Sequence, residues 1–440
     1  MQPIKPEENY DVLIIGGGIL GLASAYYATA RGLKTLIVDQ YGIGNDTNSS
    51  KGVERMFRLM QDNESEARLA ETSLAIWMEL QHSTGAKLLA TEDLIFFGHR
   101  DAPMTTEGNV QQIRQTMDSM GMPYEYLDSP AAIHKRFPVF SQAAMPEDYV
   151  GLVQAASASI NVQEAAKTFF FAARQTGLLH VLDKHAVIEV APLATQTGYT
   201  LLAEADGVSL NVHGKHLIAC PGVWADSVLK GFGLKQALGW KIWQMSYAYW
   251  PLKENHPKIP IWFEFGNIDA SDQGTFYGFP PLDFSSDRHN MVKMSADYTY
   301  DTFDAPSEIR PGVNSRLMEE LVAHLDQLIV SNAVDATKYQ HAGTCIYSMS
   351  PDGKLVIGRI PTAPGTQSFH SGTSMCIMES GRAFKYAPLF GRILVELAVD
   401  GQTRYQYDLD VFSPIRDGLF ESCRTLSGCG PGPVEQHAEL

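Results

Sequence analysis

The sequence predicts an α/β protein in two parts, one on a buried parallel sheet with helices and one on an antiparallel, aromatic-rich sheet. Three observations predict it. Residues 12–15 (Val-Leu-Ile-Ile) form an uninterrupted apolar run, the pattern of a strand covered on both faces. That run enters Gly16-Gly-Gly18-Ile-Leu-Gly21, where a helical pattern begins at once (Ile19, Leu20, Ala23, Tyr26, Tyr27). Much later, residues 246–250, 261–265, 275–279 and 291–295 alternate in character and are dense in aromatics, as half-buried antiparallel strands are.

The glycine segment has a mechanical reading. Gly16 permits a tight turn, Gly18 lets backbone approach a pyrophosphate, and Gly21 lets helix pack on strand. The helix start offers unpaired N–H groups and a partial positive charge to phosphates. Gly32 ends the helix, and residues 34–39 form a second strand closing on Asp39. That acid stands 18 residues past Gly21, where a carboxylate holds an adenosine ribose hydroxyl. Strand, turn, helix and acid together predict a Rossmann-like dinucleotide site. The polar loop 42–50, which includes Ser49, then runs along the dinucleotide.

Arg55 and Arg58 follow, three apart and on one face if that segment is helical. Residues 64–81 read as an amphipathic helix, 91–97 as a strand leaving the nucleotide part, and 110–120 as a helix among proline-marked loops. The chain returns through a helix (161–176), a short strand (180–190), strand pattern broken at Asp206-Gly207 (199–210) and a buried strand (217–220) that turns at Pro221-Gly222. Residues 317–328 are helical. Residues 344–349 and 355–358 flank Ser350-Pro-Asp-Gly353, a hairpin signal. Pro388 suits a first helical position, the run lasts through Val399, and Gly401 supplies the stop. Its start follows Lys385, so a cation and a positive dipole end converge. The expected division is 1–85, 150–225 and 338–412 for the nucleotide-binding domain, 86–149 and 226–337 for the substrate domain, and 413–440 for a flexible tail.

At 440 residues two domains are expected. A net charge of −16 argues against nucleic acid or an anionic membrane as partner. No apolar run approaches the roughly 18 residues of a membrane span, and residues 1–10 lack a signal-peptide core. The five scattered cysteines fit neither a disulfide framework nor a metal site, so a reduced, cytoplasmic protein without metal is expected.

Several segments together resemble the monomeric sarcosine oxidase family of FAD-dependent amine oxidases, from Tyr10 to about Pro414. They are the glycine motif, residues 52–58, Phe276-Tyr277-Gly-Phe-Pro280, Val292-Lys293, Thr344-Cys345-Ile-Tyr347 with Pro351-Asp-Gly353, and residues 381–391. The resemblance implies FAD in a discontinuous domain, with its ring at the junction with a sheet-roofed substrate domain. It implies a thioether from Cys345 to the flavin methyl and Gly381 among the cofactor-binding residues. It places Arg55 against the flavin and Lys293 facing it, where water and oxygen are positioned. Arg58 and Lys385 resemble the pair that grips a substrate carboxylate, and Tyr277 and Tyr347 would line the pocket. On the residues alone, a buried inert thiol is the commoner reading of Cys345 and a strand lysine reaching solvent that of Lys293.

The implied activity is oxidation of a carboxylate-bearing secondary amine or cyclic imino acid to an imine, with O2 reduced to hydrogen peroxide. A dehydrogenase using another acceptor and a non-catalytic flavin scaffold are the alternatives. A monomer or small homo-oligomer is expected. Three departures from the family pattern stand out. Asp297 replaces a histidine, Glu54 replaces a threonine, and residues 371–379 depart from a Gly-rich approach, with Arg382 replacing another histidine. If the strand holding Lys293 continues, Asp297 shares its face and favours a ring substrate of the piperideine or pipecolate kind over sarcosine; if the strand ends before Tyr298, Asp297 caps a loop.

Overall fold

Burial on both faces explains the apolar run at the start of the chain. In the computed structural model, which describes residues 9–193, 198–234, 240–416 and 419, Val12 and Ile14 pack into one hydrophobic cluster and Leu13 and Ile15 into another on the opposite side. The chain runs β1 (Asn9–Ile15), α1 (Ile19–Ala30), β2 (Thr35–Asp39), β3 (Glu54–Phe57), α2 (Glu64–Thr84), β4 (Leu89–His99), α3 (Val110–Ser119), β5 (Glu125–Leu127), α4 (Pro130–Arg136) and β6 (Tyr149–Asn161). It continues through α5 (Val162–Gln175), β7 (Leu179–Asp183), β8 (Ala186–Pro192), β9 (Tyr199–Ala205), β10 (Val208–Ala219), α6 (Ala225–Gly231), β11 (Lys241–Pro251), β12 (Ile261–Phe265), β13 (Thr275–Phe279) and β14 (Met291–Ala296). After β15 (Thr302–Phe303) come α7 (Ser315–Leu328), β16 (His341–Met349), β17 (Val356–Gly358), β18 (Thr373–Ile377), α8 (Ala387–Val399) and α9 (Gln406–Leu409).

The first sheet has the order β17-β18-β10-β1-β2-β7, with β18 through β7 parallel and β9 joining β10 to β8. Helices α1, α5 and α8 cover one face and α6 lies with the β8–β10 ribbon on the other. The second sheet has the order β15-β11-β14-β13-β12-β4-β6-β3, with β16 added on β11 and β5 on β6. Its pairs are antiparallel except β4 with β12. Alternation sorts its side chains: Val292 and Met294 join Trp250 and Trp262 in the cluster that α7 covers. Lys293 and Ser295 therefore face the other way, and Lys293 lines the cavity described below. Among the described residues, no helix is long and apolar enough to cross a membrane.

Several expectations are corrected. The segment carrying Arg55 and Arg58 is strand β3 and its exit, not a helix. Residues 180–190 are two strands, β7 and β8, separated at Lys184, whose φ is +57°. Residues 217–220 belong mostly to the long strand β10. The Ser350–Gly353 turn forms, with Gly353 N donating to Ser350 O at 3.1 Å. It closes no hairpin, because β16 pairs in the second sheet and β17 in the first, so the turn passes the chain between sheets. Strand β6 went unseen, since Ala155, Ala156, Ser157 and Ser159 blur its alternation. Strands β3, β6 and β16 lie in the second sheet although their numbers fall in stretches assigned to the nucleotide domain. Strand β18 fills most of residues 371–379, inside the first sheet, and Glu379 at their end lines the cleft described below. The expected tail is tied down at its start, where Arg416 Nε meets Asp352 at 2.7 Å. Beyond Arg416 it lies outside the described residues except Leu419.

Candidate active site

At the carboxyl ends of β1 and β2 the chain builds the cradle its glycines predict. Gly16 has φ +96°, and a Cβ there would lie 2.2 Å from Cys220 O, so glycine is required. At Gly21 a Cβ would lie 1.9 Å from Gly16 O, which is the helix-on-turn approach expected of the third glycine. Gly18, the N-cap of α1, offers no side chain to cap it. Asp39 accepts from Gly17 N at 2.7 Å and from Tyr41 N and Gly42 N at 2.9 and 2.8 Å. Those bonds fix the acid beside the turn and orient it along a long cleft. Gly16, Gly18, Asp39, Ser49, Cys345 and Gly381 all line that cleft. Ser49 Oγ also donates to Ile346 O, tying the polar loop to β16.

A second cavity lies under the second sheet and is lined by Glu54, Arg58, Tyr277, Lys293, Asp297 and Lys385, among others. Both cavities share Arg55, Cys345, Tyr347, Gly381 and Phe384. Arg55 is anchored through its Nη atoms to the carbonyls of Ser49, Lys51 and Glu54, each at 2.8 Å, and its Nη2 stands 3.6 Å from Cys345 Sγ. Cys345 and Tyr347 reach the same side of β16, two residues apart. Tyr277 Oη lies 3.4 Å from Tyr347 Oη. Burial pushes the Tyr277 hydroxyl up to about 12 and the Tyr347 hydroxyl well above its usual range, so both stay protonated. Gly381 has φ +71°, and a Cβ there would press to 2.7 Å from the Tyr347 ring.

Lys293 is buried, 3.0 Å from Glu54 Oε1, with its ammonium over the rings of Tyr247, Phe279 and Tyr249. Burial lowers its proton affinity and Glu54 works against that. Glu54 takes one of three ammonium donors, and no other acceptor among the described residues takes the rest. The strand question at Asp297 resolves in two parts. Strand β14 ends at Ala296, so Asp297 is not in the strand with Lys293, but its N–H donates to Thr275 O at 2.9 Å and its carboxylate still reaches the same cavity. Burial, with Asp272 second, pushes that carboxyl up to about 7.

The carboxylate clamp is less simple than two free cations. Arg58 is already ion-paired with Glu107, and Arg382 Nε lies 3.2 Å from the other oxygen of Glu107. Arg382 also faces Glu66 at 3.5 Å, yet its Nη2 has no partner among the described residues. Lys385 Nζ reaches only a carbonyl, Arg382 O at 3.3 Å, and no carboxylate pairs it among the described residues. Its backbone is fixed by α2, whose Ser73 Oγ and Trp77 Nε1 donate to Lys385 O at 2.6 and 2.9 Å. Burial, with Arg58 next, lowers the Lys385 proton affinity well below the usual range. Sequence reasoning missed Glu66, Glu107 and Glu379. Glu66 and Glu107 sit in ordinary helix and loop contexts with no spacing signal. Glu379 lines the first cleft, bonded to Ser348 Oγ, between Met378 and Ser380, whose φ angles are +48° and +46°. Left-handed backbone at two non-glycine residues marks where a Gly-rich pattern has been replaced.

The profile described as DAO, FAD dependent oxidoreductase, matches residues 11–397. The chain belongs to this family. Its members include relatives across nearly the whole length. Monomeric sarcosine oxidase of Streptomyces avermitilis is 27% identical over 424 residues, 93% of this chain and 98% of that protein. N-methyl-L-tryptophan oxidase of Citrobacter koseri is 24% identical over 89% of this chain and 95% of that one. Among solved structures, NikD, an unusual amino acid oxidase essential for nikkomycin biosynthesis, matches with TM-score 0.78 and 25% identity over 94% of this chain and 99% of its own. An FAD-dependent oxidoreductase of the DAO family requires a long cofactor cleft, and the glycine cradle, the α1 N-terminus, whose Ile19 N–H donates to Ser50 Oγ at 2.9 Å, and Asp39 fit an adenosine diphosphate.

Proposed function

We propose that the protein oxidises the C–N bond of a carboxylate-bearing secondary amine or cyclic imino acid to an imine, with O2 as final acceptor and hydrogen peroxide as product. The observation that carries this reading is the shared wall of the two cavities: a cleft for a dinucleotide and a chamber for a small molecule meet at Arg55, Cys345 and Tyr347. Bound there, FAD supplies the two-electron acceptor for the hydride lost beside nitrogen. Lys385 and the unpartnered Nη2 of Arg382 bind the carboxylate, since a buried anion needs paired donors. Lys293 holds positive charge on the oxygen side. The chamber's sheet roof keeps bulk water from the reacting carbon. No membrane or nucleic-acid partner enters this reading, and its three described cysteines, all free and buried, suit a reducing, cytoplasmic setting.

Cys345 is the attachment point in this account. Its Sγ lies on the shared wall, 3.6 Å from the anchored Arg55 guanidinium. Acid-precipitated protein should therefore remain yellow, and Cys345→Ala should release its flavin to the supernatant. A colourless native precipitate would exclude the link.

Asp297 supports a ring substrate. An ionised carboxylate in this chamber attracts a cationic or N–H-bearing ring and accepts its proton. Because burial raises its proton affinity, Asp297 is protonated below about 7 and ionised above. Turnover of a cyclic substrate should fall as pH drops through that value. Asp297→Asn should erase that limb and lower turnover at least about tenfold, or ~1.4 kcal/mol. A retained limb in Asp297→Asn, or sarcosine turned over faster than every cyclic substrate, would remove Asp297 from this role.

A further inference from the structure

Glu54 is a buried carboxylate at the start of β3, 2% exposed, on the wall of the substrate chamber. Its Oε1 accepts from Tyr249 Oη at 2.8 Å and lies 3.0 Å from Lys293 Nζ. Nothing in the fold demands a charge there. A hydroxyl or amide would satisfy Tyr249, and taking a carboxylate out of water costs several kcal/mol unless a cation compensates. The cation it meets is the one held over the faces of Tyr247, Phe279 and Tyr249, at 4.5, 5.2 and 5.6 Å. We propose that Glu54 is a positioning residue that keeps Lys293 charged beside the oxygen-reacting face, and so sets the upper pH limit of oxygen reduction. This rests on the reading of Lys293 given above.

The surroundings leave Glu54 as the anion suited to that task. Around the ammonium, β3 contributes Glu54 and the opposing cation Arg55, β11 contributes Tyr247 and Tyr249, β13 contributes Phe279, and β16 contributes Cys345. Burial raises both tyrosine hydroxyls above their ordinary range, so neither supplies negative charge near neutrality. Arg288 stands over the Tyr249 ring at 5.0 Å and adds positive charge, not negative. Burial thus drives Lys293 toward the neutral amine, and Glu54 resists. Oxygen reduction moves two electrons and two protons to O2, and negative charge develops on oxygen before the second proton arrives. The charged ammonium of Lys293 stabilises that charge and its neutral amine does not, so losing the proton at high pH should slow the step.

The test compares native holoenzyme with Glu54→Gln, Glu54→Asp and Lys293→Met. Two quantities are read: reoxidation of the reduced holoenzyme by O2 across pH, and titration of Lys293 Nζ by ¹⁵N NMR, its signal assigned by its loss in Lys293→Met. In Glu54→Gln both midpoints should move together to lower pH by about one pH unit or more, the scale of a lost opposite charge at this range. Glu54→Asp keeps the charge at a longer distance and should move both the same way by less, which also covers failure of the amide variant to fold. Unmoved midpoints, with Lys293→Met still slow toward O2, would overturn the role of Glu54 alone. Native-rate reoxidation in Lys293→Met would remove the reading of Lys293, and this inference with it.

Discussion

Lys293→Met should slow reaction of the reduced protein with oxygen by roughly 10²-fold or more, the loss expected when one preorganised charge-stabilising donor is removed. The methionine side chain fills similar space among Tyr247, Phe279 and Tyr249, so the chamber keeps its shape while losing its charge. The ammonium is fixed before reaction by Glu54 and three ring faces, which is why its effect should exceed that of a mobile surface lysine. Rapid mixing of reduced enzyme with oxygenated buffer reads this directly. Reduction by substrate should suffer much less, because Lys293 is not among the groups placed on the carboxylate. Equal slowing of both half-reactions would assign Lys293 a general structural role.

The second large effect concerns Lys385. Lys385→Met should weaken binding of a carboxylate-bearing substrate by about 1.5–3 kcal/mol, the worth of a charged hydrogen bond, or roughly 10- to 150-fold. Its ammonium has no carboxylate partner among the described residues, so a substrate anion fills a vacant role. The sign of the pH dependence follows. Burial and Arg58 lower the proton affinity of Lys385, so the free enzyme loses that charge as pH rises, and carboxylate affinity should fall with it. In Lys385→Met that dependence should flatten, and an amine lacking the carboxylate should be indifferent to the change. Arg58 should behave differently. Its removal strips Glu107 of one partner, so substrates with and without a carboxylate should both suffer. Matching losses for both substrate types in Lys385→Met would exclude the clamp.

What the sequence made legible was local or periodic. The glycine turn, β1, β2 and Asp39 follow from short-range rules about backbone freedom and helix ends, and each lands as expected. The strands carrying Lys293 and Tyr277 follow from alternation, and α7 decides which face is buried. What escaped was pairing across long separations. Glu54 and Lys293 are 239 residues apart, and Arg58 meets Glu107 from a different loop, so no spacing in the chain announces either pair. The Pro-Asp-Gly turn forms as its residues predict but closes no hairpin, because turn chemistry is local whereas the choice of sheet is not. The departure of residues 371–379 from a Gly-rich pattern has a related cause. Strand β18 is apolar and β-branched enough to sit in the sheet, and the backbone strain moves to Met378 and Ser380.

The central claim is that the two cavities serve one oxidation. The most direct measurement mixes the native protein anaerobically with a cyclic, carboxylate-bearing secondary amine, follows flavin absorbance, and then admits oxygen while peroxide is counted. The account predicts bleaching on mixing, recovery of the yellow spectrum with oxygen, and peroxide equal to the flavin reduced. No bleaching with any secondary or cyclic amine would contradict it in favour of a scaffold. Bleaching that oxygen fails to reverse would contradict it in favour of a dehydrogenase.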